Sequence, residues 1–248
     1  MHWTDDELGY FEFLQLAEEL GTLPRWAFNN GISHNDQVDT SSILPFMQEA
    51  LDGIEFARGD LSSTWGAVRA AMGHPEPFHL RYVAIGNEDC GKKNYRGNYL
   101  KFNDVIRRAY ADIKKISNCD GSSHQLDYPT DFYDFHVYTS ANNLFSISHQ
   151  FDRASRKGPK VFVNEYAVTR KDASTGSLLA ALAEAGFLIG LEKNSDVVET
   201  ARYAPFFVNS NNRQWDPDAI VFNSSHLYRT PSYWVQRFSC RVKWSNSS

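Results

Sequence analysis

Short apolar runs that stop abruptly in polar residues recur along the chain, separated by stretches whose apolar residues return every three or four positions. The first pattern reads as buried strands, the second as helices packed on them. A helix is expected over 7–20, capped by Asp5 and Asp6, with Phe11, Leu14, Leu16, Ala17 and Leu20 on its apolar stripe. A strand over 26–30 stops in Asn29-Asn30-Gly31. Helices over 43–58 and 65–72 follow, then a strand from Arg81 ending in Gly86-Asn87-Glu88. A helix over 97–110 leads to a strand over 113–119, and the next strand, 132–138, ends in His136 and Tyr138. A helix over 144–156 precedes the strand from Lys160, whose apolar run ends in Asn164-Glu165. A long helix over 176–193, a strand over 197–208 and a short one over 219–222 complete the pattern. Alternation of this kind argues for an α/β protein with a parallel sheet covered by helices. Six main strands are expected, where a closed barrel needs eight, and the chain opens on a helix.

Parallel α/β proteins place their chemistry where polar residues follow an apolar strand. Two strands here deliver the same pair, Asn87-Glu88 and Asn164-Glu165, 77 residues apart. At about 25 residues per strand–helix unit they stand three strands apart. Two carboxyl groups on separate strands are the minimum equipment for glycoside hydrolysis, one giving a proton and the other remaining ionised. His136 and Tyr138, at an intermediate strand end, are placed to hydrogen-bond the carboxylates and separate their pKa values. A lone glutamate after a strand is more often a solvated loop residue, and a lone histidine more often a satisfied core residue. The repetition of Asn-Glu at matched positions raises the catalytic reading above those. Asn29 and Asn30 serve either a site or a turn.

Composition narrows the picture further. A net charge of −5 with scattered basic pairs leaves no footprint for nucleic acid. The longest apolar stretch, 178–191, is broken by Glu184 and is shorter than a membrane span needs. The N-terminal residues lack a basic start followed by an apolar run, so no signal peptide is read there. Cys90, Cys119 and Cys240 show no metal spacing, and there is no other ligand cluster; neither metal nor cofactor is expected. Cys90 and Cys119, both near strand ends, are expected as free buried thiols. Seventeen Phe, twelve Tyr and six Trp suffice to line a sugar cleft, although an aromatic core is the commoner cause.

The stretches YVAIGNEDCGKKNYRGNYLKF, DFHVY, NEYAV, GSLLAALAEAGFLIGLEKNSD and YAPFFVN…WDPDAIVFNS together resemble the plant α-L-arabinofuranosidases of glycoside hydrolase family 51, over about 3–238. The resemblance implies a (β/α)8 TIM-barrel glycosidase fold with the acid/base glutamate after the fourth strand and the nucleophile at the seventh. Glu88 and Glu165 occupy those places. It also implies release of terminal α-L-arabinofuranosyl groups from wall arabinans and arabinoxylans with retention, the carboxyls lying about 5–5.5 Å apart. Asn87, His136 and Tyr138 fall where the family binds sugar and orients its carboxylates, and Asn29 lies at the third strand's end. Trp215 and Asp218 are placed near the cleft without a role. On this pattern 1–238 is an incomplete barrel lacking the first two strands, and 239–248 is a divergent, disordered tail. The family is extracellular, and Asn223-Ser-Ser and Asn246-Ser-Ser fit glycosylation acceptors. The alternative reading is a catalytically silent barrel fragment that at most binds arabinosyl glycans or a partner chain. A different glycosidase of the same clan, acting on β-linked glucan or xylan, is the third.

Overall fold

In the computed structural model, which describes residues 8–122, 124–216 and 218–240, the chain separates into two units. One holds the residues up to Cys119 together with Leu126–Phe132; the other holds Asp120–Gln125 and the residues from Tyr133 onward. The first unit opens on α1 (Tyr10–Glu19). Its cap is not the expected Asp5-Asp6, which lies outside the described residues. Instead Gly9 takes the cap position and donates its N–H to the Glu12 carboxylate at 2.9 Å. β1 (Arg25–Phe28) follows, then α2 (Leu44–Arg58), α3 (Thr64–Ala71), β2 (Tyr82–Ile85), α4 (Tyr95–Ala109) and β3 (Lys114–Ser117).

The three strands are parallel in the order β1-β2-β3, and Phe28, Ile85 and Ser117 stand level across them. The residues that follow each strand therefore emerge along one edge: Asn29-Asn30, Gly86-Asn87-Glu88 and Asn118-Cys119. Phe28, Val83 and Ile85 pack against Ile54, Phe56, Phe102 and Ile106 from the helices. Burying each such side chain contributes about 1.5–3 kcal/mol. Arg69 is fully buried, and its guanidinium donates to the carbonyls of Phe56, His74 and Pro75 at 2.8–3.0 Å, pinning the approach to β2. Cys90 and Cys119 form a disulfide, not the free thiols expected from the sequence. Level strand ends bring the two loops together, with Cα atoms 4.9 Å apart, a proximity that sequence spacing does not reveal.

The second unit is built from β4 (Phe132–Thr139), α5 (Ala141–Ser146), β5 (Lys160–Val168), α6 (Arg170–Ala173), α7 (Leu178–Lys193) and β6 (Val198–Tyr203). β7 (Phe207–Asn209), β8 (Ile220–Phe222) and β9 (Leu227–Arg229) form a separate sheet, and α8 (Pro231–Ser239) closes the described chain. α7 is apolar nearly all round: Ala180, Ala183, Phe187 and Leu191 are inside, against β5, α5 and α8, while Leu178, Leu179, Leu182 and Ile189 stay exposed. Gly190 allows the Ser148 backbone to press on this helix, since a Cβ there would lie 1.7 Å from the Ser148 carbonyl oxygen.

Several boundaries differ from expectation. β5 does not stop at Asn164-Glu165 but continues to Val168, because Tyr166, Ala167 and Val168 are themselves buried. The helix expected over 144–156 begins earlier, at the Ser140 cap, and ends at Ser146. Beyond it the backbone continues in turns, with the Ala154 N–H donating to the Phe151 carbonyl at 3.1 Å, and Arg156 donates to the carbonyls of Phe151, Asp152 and Ala154. The single strand expected over 197–208 is two, broken at Pro205, which has no N–H to give a ladder. α8 and β9 were not anticipated. The expected tail at 239–248 lies outside the described residues from 241 on. The six parallel strands, three per unit and alternating with helices, are consistent with part of a (β/α) barrel. Among the described residues no helix is long and apolar enough to cross a membrane.

Candidate active site

In the first unit the strand ends build a polar shelf. After β2 the chain turns through Gly86 at φ 84° and Glu88 at φ 56°, leaving the Glu88 side chain exposed. Gly86 cannot be replaced cheaply. A Cβ there would lie 2.4 Å from Asp89 Oδ2, 2.6 Å from Asn30 Nδ2 and 2.9 Å from Asn118 Nδ2. Asp89 is buried and accepts the Asn87 N–H at 3.1 Å. Burial pushes its carboxyl up, while the Asn87 N–H and the charges of Lys92 and His34 pull it back. Asn29 is exposed and its side-chain oxygen accepts the Gly31 N–H at 2.7 Å, so it shapes the turn after β1. Asn30 is fully buried instead, and neither polar atom of its side chain has a partner among the described residues. An amide buried in that state has hydrogen-bonding capacity left for a ligand or water. The backbone carbonyl of Asn30 accepts from Asn98 Nδ2 at 3.0 Å, and Thr40 fixes Asn98 in turn at 2.7 Å.

In the second unit β4 sends Asp134, His136 and Tyr138 to one face by its two-residue period. Neighbouring residues on a regular β5 would point to opposite faces. Val163 pairs with Ala201 and Tyr166 with Tyr203, so β5 carries one extra residue over Asn164-Glu165. This bulge lets both consecutive side chains reach the functional face of β4. Tyr138 Oη donates to Glu165 Oε2 at 2.7 Å, and His136 Nδ1 lies 3.7 Å from the same oxygen. The other ring nitrogen of His136 is 3.2 Å from Asp134 Oδ2, on a carboxylate almost wholly buried. Asn164 Nδ2 sits 3.5 Å from both Asp134 and His136. Glu165 is thus a partly exposed carboxylate, 25% accessible, whose orientation is fixed by a phenol and an imidazole. Such a group is held in one rotamer while still open to a reacting carbon.

Glu165, His136 and Tyr138 are brought together by the structure, while Asn87 and Glu88 lie side by side in the other unit. Asp134 was not singled out from the sequence, whereas Asn164 was read only as the first half of the repeated Asn-Glu pair and Asn30 only beside Asn29 as serving a site or a turn. Asp134 carried a signal, because it shares the two-residue period with His136 and Tyr138. Asn30 had none beyond its neighbour.

Residues 1–156 match the family described as the α-L-arabinofuranosidase 1 domain, and residues 164–245 match the α-L-arabinofuranosidase C-terminal domain. The chain is 75% identical over 237 residues to α-L-arabinofuranosidase 1 of Arabidopsis thaliana, covering 96% of this chain and 35% of that protein. It is 35% identical to the extracellular exo-α-L-arabinofuranosidase of Streptomyces chartreusis, covering 93% of this chain and 29% of that protein. The chain thus spans about a third of the length of these relatives. Among solved structures, an arabinose-bound GH51 α-L-arabinofuranosidase superposes with a TM-score of 0.87 at 31% identity, over 95% of this chain and 40% of that one.

Proposed function

Because the chain belongs to the family of the α-L-arabinofuranosidase 1 domain, we propose that it carries the catalytic pair of a retaining α-L-arabinofuranosidase, with Glu88 as acid/base and Glu165 as nucleophile. Glu88 gives its proton to the glycosidic oxygen as the Glu165 carboxylate attacks the anomeric carbon, forming a glycosyl ester. Water then attacks the same carbon while Glu88 takes its proton, and Glu165 leaves as a free carboxylate. The observation that carries this reading is the hold on Glu165, through Tyr138 at 2.7 Å and the Asp134-backed His136. Asn87 and Asn29 are assigned to sugar hydroxyls, and His136 and Tyr138 to orienting the nucleophile.

The proposed substrates are terminal α-L-arabinofuranosyl groups on cell-wall arabinan and arabinoxylan. The names of the relatives and the arabinose bound in a structural neighbour support this. On this reading residues 1–238 are a catalytic barrel portion in which β1–β6 correspond to the third to eighth strands. An extracellular location is proposed with it. The Cys90–Cys119 bridge fits an oxidising compartment, and Asn223-Ser-Ser fits a glycosylation acceptor.

Azide rescue of the two alanine variants on an aryl α-L-arabinofuranoside tests the assignment. Glu165→Ala with azide is expected to give the β-configured glycosyl azide, and Glu88→Ala the α-configured one. Both variants retaining the unrescued wild-type rate would sink the proposal. Binding of arabino-oligosaccharide with no turnover by the unmodified chain would favour the silent alternative.

A further inference from the structure

A cleft of about 730 Å³ opens within the second unit, between the carboxyl ends of β4 and β5 and the loop that carries Trp215. Tyr138 forms one wall, and the Trp215 ring stands edge-on to it with centroids 5.2 Å apart. Trp215 remains 45% exposed, which leaves an indole face open to the cleft. The same Tyr138 donates to Glu165, so a sugar in this cleft would neighbour the proposed nucleophile. The floor is tied down where the Thr169 N–H donates to the Thr139 carbonyl at 2.8 Å.

The charges around the cleft are unevenly used. Asp172 accepts the Ala141 N–H at 2.9 Å, and Asp216 pairs with Arg213 at 3.3 Å. Arg170 and Lys171 also line the cleft, and among the described residues neither side chain has a hydrogen bond or ion pair. Arg170 adopts φ 59°, in the left-handed region where an arginine is uncommon, directly after β5 ends. The anions are engaged and the cations are not. A flat apolar face beside two uncommitted cations suits a pyranose ring bearing a carboxylate.

We propose that this cleft binds a uronate-bearing stretch of the glycan main chain, its pyranose ring stacked on Trp215 and its carboxylate received by Arg170 and Lys171. The inference rests on the glycosidase reading for the identity of the neighbouring sugar, and it adds a preference for acidic over neutral chains. Arginine supplies a two-point grip on a carboxylate and lysine a point charge, so replacing the carboxylate by a hydroxymethyl group removes both contacts.

The test is titration of the full chain with a trigalacturonide and with its carboxyl-reduced, neutral counterpart, at low and at high salt. The acidic ligand is expected to bind about tenfold tighter at low salt, with the difference fading near 1 M salt. The Arg170→Ala/Lys171→Ala double variant, checked for an unchanged melt, is expected to bind the two ligands equally. Trp215→Ala is expected to weaken both by a similar factor. Equal affinity for the two ligands in the unmodified chain, no binding of either, or an undiminished preference in the double variant would each overturn the proposal. Aryl α-L-arabinofuranoside hydrolysis by the unmodified chain is measured alongside. Acid-selective binding without turnover would fault the glycosidase reading and leave the cleft assignment standing; turnover without acid selectivity would do the reverse.

Discussion

Tyr138 is the side chain on which the geometry around Glu165 depends most directly. Its hydroxyl reaches the carboxylate at 2.7 Å, while the nearer imidazole nitrogen stays at 3.7 Å. A hydrogen bond to a charged group is worth about 1.5–3 kcal/mol, so Tyr138→Phe is expected to lower kcat/KM by roughly 10- to 100-fold. Its ring is half-buried and keeps its contacts, so the melting temperature should move little. Steady-state kinetics beside a thermal melt checks this, and a variant at the wild-type rate would contradict it. At this scale the sequence was informative where period and chemistry coincide, as for His136 and Tyr138 on alternating positions of one strand. It was blind to Asn30 against Asn29, because only the turn geometry decides which amide is buried.

Among the elements, α7 carries a buried acid that the glycosidase reading does not use. Glu184 is fully buried and accepts the Val168 N–H at 3.1 Å, with Tyr166, Tyr203 and Ser232 around it. Burial pushes its carboxyl up from about 4.5 to about 7. Between those values the folded chain holds a proton that the unfolded chain has released, so stability falls as pH rises through this window. The loss integrates to about 3 kcal/mol. Asp218, pushed up to about 6 chiefly by burial, adds a slope of the same sign. Glu184→Gln is expected to flatten the dependence and to be the more stable protein at pH 8, as read from denaturant midpoints at pH 5 and pH 8. Identical slopes in the two proteins would contradict this. The apolar run of α7 was legible in the sequence, and Glu184 appeared there only as an interruption. The β5 bulge was not legible, since an extra residue in a strand shows only against its partner's register. The shortening of α5 was hidden for a related reason, because the turns after Ser146 and the Arg156 contacts with the Phe151 and Asp152 carbonyls leave no mark on the apolar period.

Across the whole chain, alternation of apolar runs and periodic stretches was enough to reach parallel strands covered by helices. Strand order and level strand ends required the structure, and the Cys90–Cys119 bridge follows from them. That bridge joins the loop bearing Glu88 to the end of β3 across a sequence separation of 29 residues. Closing a loop of this size stabilises a fold by roughly 3 kcal/mol, chiefly by restricting the unfolded chain. Cys90→Ser/Cys119→Ser is therefore expected to lower the denaturant midpoint, and reductant should do the same to the unmodified protein while leaving the variant unaffected. A midpoint indifferent to both would contradict that role.

The most direct test of the account is covalent. A 2-deoxy-2-fluoro-α-L-arabinofuranosyl donor with a good leaving group slows the second step more than the first, so the glycosyl ester accumulates on the nucleophile. Incubating the protein with this reagent and mapping the adduct by peptide mass spectrometry is expected to place one sugar on Glu165 and none in Glu165→Gln. A label on another carboxylate, or no label where the same reagent is consumed, would contradict the assignment of Glu165 as nucleophile.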